Sequence, residues 1–126
     1  MRYLVSAMLV VVAIIHLLPL PGLLGNQRLG KLYGVSIDEP NLSILMRHRA
    51  ILLGLLGIFL LIAAFRQAWQ VPAFIAGAVS IVSFMLLAKS IGGYNAQIAR
   101  VVAADQIAAI CLIVGIVAYA YSRLAA

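Results

Sequence analysis

The chain has 126 residues, 66% of them hydrophobic and 10% charged, with a mean hydropathy of +1.17. A soluble domain carries about 45–50% apolar and about 25% charged residues, so this composition excludes an ordinary water-soluble globule. The net charge of +6, nine Lys and Arg against three Asp and Glu, reads in so apolar a chain as loop bias and interfacial anchoring. No basic run or aromatic-interleaved basic patch marks a nucleic-acid partner. The single cysteine, Cys111, lies inside an apolar run, which leaves no intrachain disulfide and no CxxC motif.

The first apolar run, Tyr3 to Leu18, follows Arg2 and leads into Pro19-Leu20-Pro21-Gly22 without an A-x-A pattern. It therefore predicts a membrane-resident helix over residues 3–20 and not a cleaved leader. In the long connection from Pro19 to Pro40, Leu29, Leu32 and Tyr33 share one helical face while Arg28 and Lys31 share another, the pattern of a short helix lying in the membrane interface. Ser36 and Glu39 have capping-box spacing, but Glu39 precedes Pro40 and is biased away from helix. The uncharged run from Ala50 to Phe65 is too short for a hydrocarbon core that needs roughly 20 residues. The second span accordingly begins near Asn41 or Ser43 and covers 43–65, with Arg47, His48 and Arg49 in its opening turns.

After the polar turn Arg66, Gln67, Trp69 and Gln70, Pro72 suits the first position of a third span over 71–89. Gly92-Gly93 breaks the chain, and Asn95 is placed to N-cap a fourth span over 97–121, in which only Asp105 is charged between Val101 and Tyr121. Small residues recur at packing intervals: Ala50, Gly54 and Gly57; Gly77, Ser80 and Ser83; Ala108, Cys111 and Gly115. The expected fold class is all-α. It is a bundle of four transmembrane helices with a short interfacial helix between the first and second, one integral membrane domain over 1–126 with both termini on the same side.

The embedded polar residues gather toward the end of the bundle away from the termini. His16 closes the first span, His48 opens the second at a similar depth, and Asp105 falls in the same half of the bilayer about 15 Å into the fourth span. Arg47, Arg49, Lys89, Tyr94, Asn95 and Arg100 complete a candidate ligand-binding set with His16, His48 and Asp105. A carboxylate within a span needs a proton or a partner, and Arg47, His48 and Lys89 are the candidates. A structural clamp between helices explains Asp105 as well as a functional acid does. No H-E-x-x-H or G-x-S-x-G motif and no close-spaced metal-ligand set occurs; the only haem ligands on offer are His16 and His48.

Leu32-Tyr33-Gly34-Val35, Asp38-Glu39-Pro40-Asn41 and Met46-Arg47-His48-Arg49-Ala50 leading into Gly54, with Gly57, Asn95 and Asp105 downstream, resemble the small four-helix bacterial membrane proteins grouped as DoxX-like. The resemblance implies a multi-pass protein of the bacterial inner membrane and a link to quinone-dependent membrane oxidoreductases. A nucleotide-transfer activity of the phosphopantetheine adenylyltransferase type finds no support, since the chain has no Gly-His pair.

The sequence thus points to a small membrane protein that binds a quinone or lipid-like amphiphile in a polar pocket, as an accessory of a redox complex. A bis-histidine haem protein through His16 and His48, a purely structural subunit and a small oligomeric transporter working through Asp105 stand as alternatives. Catalytic residues are unassigned. The expected partners are the lipid bilayer and either further copies of the chain or a larger membrane complex, with no nucleic acid.

Overall fold

In the computed structural model the described residues are 2–20, 26–34 and 39–125, with backbone alone at 26–29. All regular structure among them is helical. The helices are α1 (Arg2–Leu17), α2 (Asn26–Tyr33), α3 (Pro40–Ala64), α4 (Gln70–Ile91) and α5 (Ala96–Ala125), with one 3-10 turn at Gln67–Trp69 before α4. The expected breaks at Pro21-Gly22, and Ser36 of the capping-box spacing, lie outside the described residues.

Each boundary has a local cause. Pro19 has no N–H to continue a helix, and α1 stops at Leu17, short of residue 20. Gly34, at φ +67°, ends α2 by donating its N–H to the Gly30 carbonyl at 2.7 Å, a left-handed cap that favours glycine. Glu39 is extended and caps α3: its carboxylate accepts from the Leu42 N–H at 2.8 Å, and Pro40 takes the first helical position. The backbone N–H groups of Asn41 and then Leu42 hold the Glu39 carboxyl below its ordinary pKa. Helix α4 starts at Gln70, which moves Pro72 from the expected first position to the third, still within the turn whose N–H groups lack intrahelical partners. Asn95 caps α5 as expected, accepting from the Ile98 N–H at 2.8 Å.

Three segments, Pro40–Ala64, Gln67–Ile91 and Ala96–Ala125, are long and apolar enough to cross a membrane. Helix α1 is apolar but has 16 residues, about 24 Å of helix at 1.5 Å per residue, against a hydrocarbon core of about 30 Å. Three of the four expected spans are therefore met by length, and α1 is the one that falls short.

Helix α1 packs chiefly on α3 and α5, and α4 packs on α5 and α3. Small residues are prominent among the buried positions and many large apolar ones face outward, although Leu9, Leu60 and Ile81 also lie in the core. On α4, Ala73, Gly77 and Ile81 are buried while Ile75, Val79 and Leu86 are exposed; on α5, Ala108, Gly115 and Ala118 are buried while Ile110, Ile113 and Val117 are exposed. Lipid offers helices no hydrophobic incentive to associate, so close backbone approach and dispersion contact must hold them. Gly57 shows how close: a Cβ there would stand 2.8 Å from Leu17 Cγ and 3.1 Å from the Ala13 carbonyl oxygen. Gly54 meets Leu20 in the same way, and Gly115 packs on Met8 and Phe74. These stripes are thus filled from within the chain.

At the end that holds the termini of α1 and α5, the Ser6 hydroxyl donates to the Ala64 carbonyl at 2.5 Å. Phe59 and Trp69 rings pack with centroids 5.8 Å apart, and Phe74 meets Tyr119 edge-on at 5.7 Å. The opposite end is looser and holds the candidate site.

Candidate functional site

A cavity of about 500 Å³ opens at the end of the bundle where α1 and α4 finish and α3 and α5 begin, and α2 lies over it. All five helices contribute. Its polar groups are His16 from α1, Lys31 and Tyr33 from α2, Arg49 from α3, Ser80 and Ser83 from α4, and Gln97, Arg100 and Asp105 from α5. Between them lie Ile15, Leu18, Leu32, Leu53, Phe84 and Leu87, so most of the wall is apolar.

His16 is buried and fully engaged. Its Nδ1 lies 2.9 Å from the Val12 carbonyl, which can only accept, so Nδ1 carries the proton. Nε2 lies 3.0 Å from the Ser80 hydroxyl, which donates to the neutral ring and accepts from the protonated one. The bond ties α1 to α4 at the floor of the cavity.

Arg49 lies close to two rings. Its guanidinium carbon is 5.2 Å from the Tyr33 ring centroid and 5.5 Å from that of Phe84, and an η-nitrogen donates to the Tyr33 hydroxyl. Two aromatic rings at this range stabilise a cation through their quadrupoles, and the guanidinium has further N–H donors beyond the one given to Tyr33. Tyr33 is itself buried, resting on Leu32, Met46, Ile98 and Val101.

Asn95 stands at the rim. Its Oδ1 caps α5 while its Nδ2 donates to the Tyr33 and Gly34 carbonyls at 2.9 and 3.1 Å. One side chain therefore starts α5 and holds the C-terminus of α2 over the cavity. Gly34 fits tightly there, since a Cβ would come within 2.6 Å of Gln97 Oε1.

Of the residues expected in one site, His16, Arg49, Arg100 and Asp105 do line this cavity, and Asn95 supports it. Asp105 lines the cavity with His16 and Arg49, whereas Arg47, His48 and Lys89, the partners expected for it, do not line it. Lys89 and Tyr94 line a separate groove between α4 and α5 with Gly92, Gly93 and Gln106. His48 is exposed and lines neither space, so the two histidines are not brought together and the facing pair that haem ligation needs is not assembled. Arg47 is half-buried, with a buried Nε that has no hydrogen-bond partner. Among the described residues no group of three or more His, Cys, Asp or Glu side chains is placed to hold a metal ion.

The structure adds Lys31, Tyr33, Ser80, Ser83, Phe84 and Gln97 to the site. The sequence signal for the serines was present but ambiguous: Gly77, Ser80 and Ser83 share a small-residue stripe, and only a facing polar group such as His16 turns such a stripe into a hydrogen-bonding floor. Tyr33 and Lys31 had no such signal, because α2 reaches the cavity only through tertiary contacts. Comparison with protein families, curated proteins and solved structures finds no match.

Proposed function

We propose that this chain is a multi-pass integral membrane protein that binds a quinone or lipid-like amphiphile in the cavity beneath α2. In this reading α1 is the fourth span, its shortness met by tilt or local thinning of the bilayer, and α2 lies in the interface. The resemblance to DoxX-like proteins of the bacterial inner membrane agrees with it.

The observation that carries the proposal is Arg49 held against the rings of both Tyr33 and Phe84 in a largely apolar wall. A hydrogen-bonding cation held by ring faces suits a headgroup oxygen, and the surrounding Leu and Ile side chains suit a chain or ring. Asp105, on the same cavity, is a group that can hold or pass a proton to such an oxygen. The chain so read is a binding protein, an accessory to redox or lipid chemistry carried out elsewhere.

The test is purification in mild detergent followed by mass spectrometry of the extracted small molecules, beside the variant Arg49→Ala. A co-purifying quinone or lipid that the variant lacks is expected. An empty wild-type preparation that also fails to take up added quinone or lipid removes the proposal. The four-span arrangement is tested separately: single cysteines at positions 2 and 123 should label from the same side of intact cells.

A further inference from the structure

The charges around the cavity narrow its ligand. Lys31, Arg49 and Arg100 line it against the single carboxylate of Asp105, which leaves two positive charges uncompensated; the nitrogens of His16 are committed to Val12 and Ser80. Lys31 and Arg100 are exposed and Arg49 is half-buried, so the imbalance is partly screened, yet a neutral headgroup would leave it uncompensated. A phosphate monoester carries about −1.5 to −2 charges at neutral pH and three acceptor oxygens. We infer that the headgroup this cavity accepts is a phosphate monoester, an inference that rests on the amphiphile reading above and gives it a chemical class.

The other polar groups fit the same headgroup. The Gln97 amide adds a neutral donor, and the guanidinium of Arg49 keeps further N–H donors for phosphate oxygens beyond the one given to Tyr33; the Ser80 and Ser83 hydroxyl protons are taken by His16 and by the Ser80 carbonyl. The apolar part has an exit. Ser83 and Leu87 of α4 line the cavity and are also exposed, Leu87 by 59%, so the cavity opens sideways through the surface that faces lipid. A chain attached to the phosphate can leave there without crossing α2. Free phosphate shares the headgroup chemistry but makes no use of the apolar wall or of this exit.

Native mass spectrometry of the full chain in nanodiscs of neutral lipid tests the inference, with five probes: dioctanoyl phosphatidic acid, dioctanoyl phosphatidylglycerol, dioctanoylglycerol, decylubiquinone and inorganic phosphate. Binding should fall in the order monoester, diester, neutral diacylglycerol, with about tenfold between the first and the last. Arg49→Gln and Arg100→Gln, which place the change on different helices, should each erase most of that preference. Arg66→Gln, at the opposite end of the bundle, should leave it intact. Inorganic phosphate that displaces phosphatidic acid with equal affinity supports the phosphate chemistry and assigns the free ion as occupant. Equal binding of phosphatidic acid and dioctanoylglycerol overturns the inference, as does a preference that Arg66→Gln weakens as much as Arg49→Gln. If decylubiquinone binds and phosphatidic acid does not, the inference fails while the amphiphile reading survives; if no amphiphile binds, both fail.

Discussion

Nε2 of His16 and the hydroxyl of Ser80, 64 residues apart in sequence, meet at 3.0 Å and join the first helix to α4 at the floor of the cavity. Ser80→Ala removes the hydroxyl and leaves a buried ring nitrogen unpaired, which costs about 1–3 kcal/mol. Thermal unfolding in detergent should register that loss. The double variant His16→Phe, Ser80→Ala should recover part of it, since removing both partners removes the unsatisfied group.

Asn95→Ala takes away a helix cap, worth about 0.5–2 kcal/mol, and in the same step both hydrogen bonds to the end of α2. Amide hydrogen exchange should rise in α2 as well as in the first turn of α5. Asn95→Asp keeps the capping oxygen and loses the Nδ2 donor. It should restore protection to α5 alone, a split that a merely structural weakening of the bundle would not produce.

Gly57→Ala places a methyl group against Leu17 and the backbone oxygen of Ala13. The Leu17 side chain can yield, whereas a carbonyl cannot without moving α1. Overpacking of this kind costs about 1–3 kcal/mol, and Gly57→Leu should prevent α1 from docking. Gly92→Ala is a useful contrast: nothing lies within 4 Å of its Cβ position, so any loss there comes from its backbone at φ +67°, ψ −177° alone.

Glu39 supplies a pH dependence whose sign follows from its depressed pKa. The ionised carboxylate binds the first N–H groups of α3, so its contribution is present above the ordinary carboxylate value and is lost as pH falls through the lower folded value. The protection of the Asn41 and Leu42 amides, taken relative to their intrinsic exchange rate at each pH, should fall in that acid window and stay level above it. Glu39→Gln should largely abolish the acid step.

Much of the chain's organisation was legible because apolar length and punctuation are local. Pro19, Pro40, Gly92-Gly93 and Asn95 bound the helices close to where their chemistry demands, and the small-residue stripes do lie at helix contacts. What the sequence could not show is which polar residue points inward. Arg47, His48 and Arg49 are consecutive, and at about 100° per residue they cannot face one cavity together; the structure selects Arg49 because Tyr33 and Phe84, from two other helices, converge on it. Lys89 and Asp105 were assigned a common site by depth along the bundle, yet Lys89 turns to the groove between α4 and α5. Depth was readable and azimuth was not, since azimuth depends on helix rotations set by packing.

The position of α1 has a consequence for biogenesis. It is made before its hydrogen-bond partner on α4 and before the part of its packing surface that α5 supplies. With α1 as the fourth span, as proposed above, a nascent chain still lacking Ser80 would hold a short helix bearing an unpaired imidazole nitrogen at the membrane, an arrangement that hydrocarbon penalises. Release of α1 from the translocon is expected to wait for α4 and α5, so ribosome-bound intermediates arrested before residue 80 should keep α1 crosslinked to the insertion machinery, and those arrested after α5 has emerged should not.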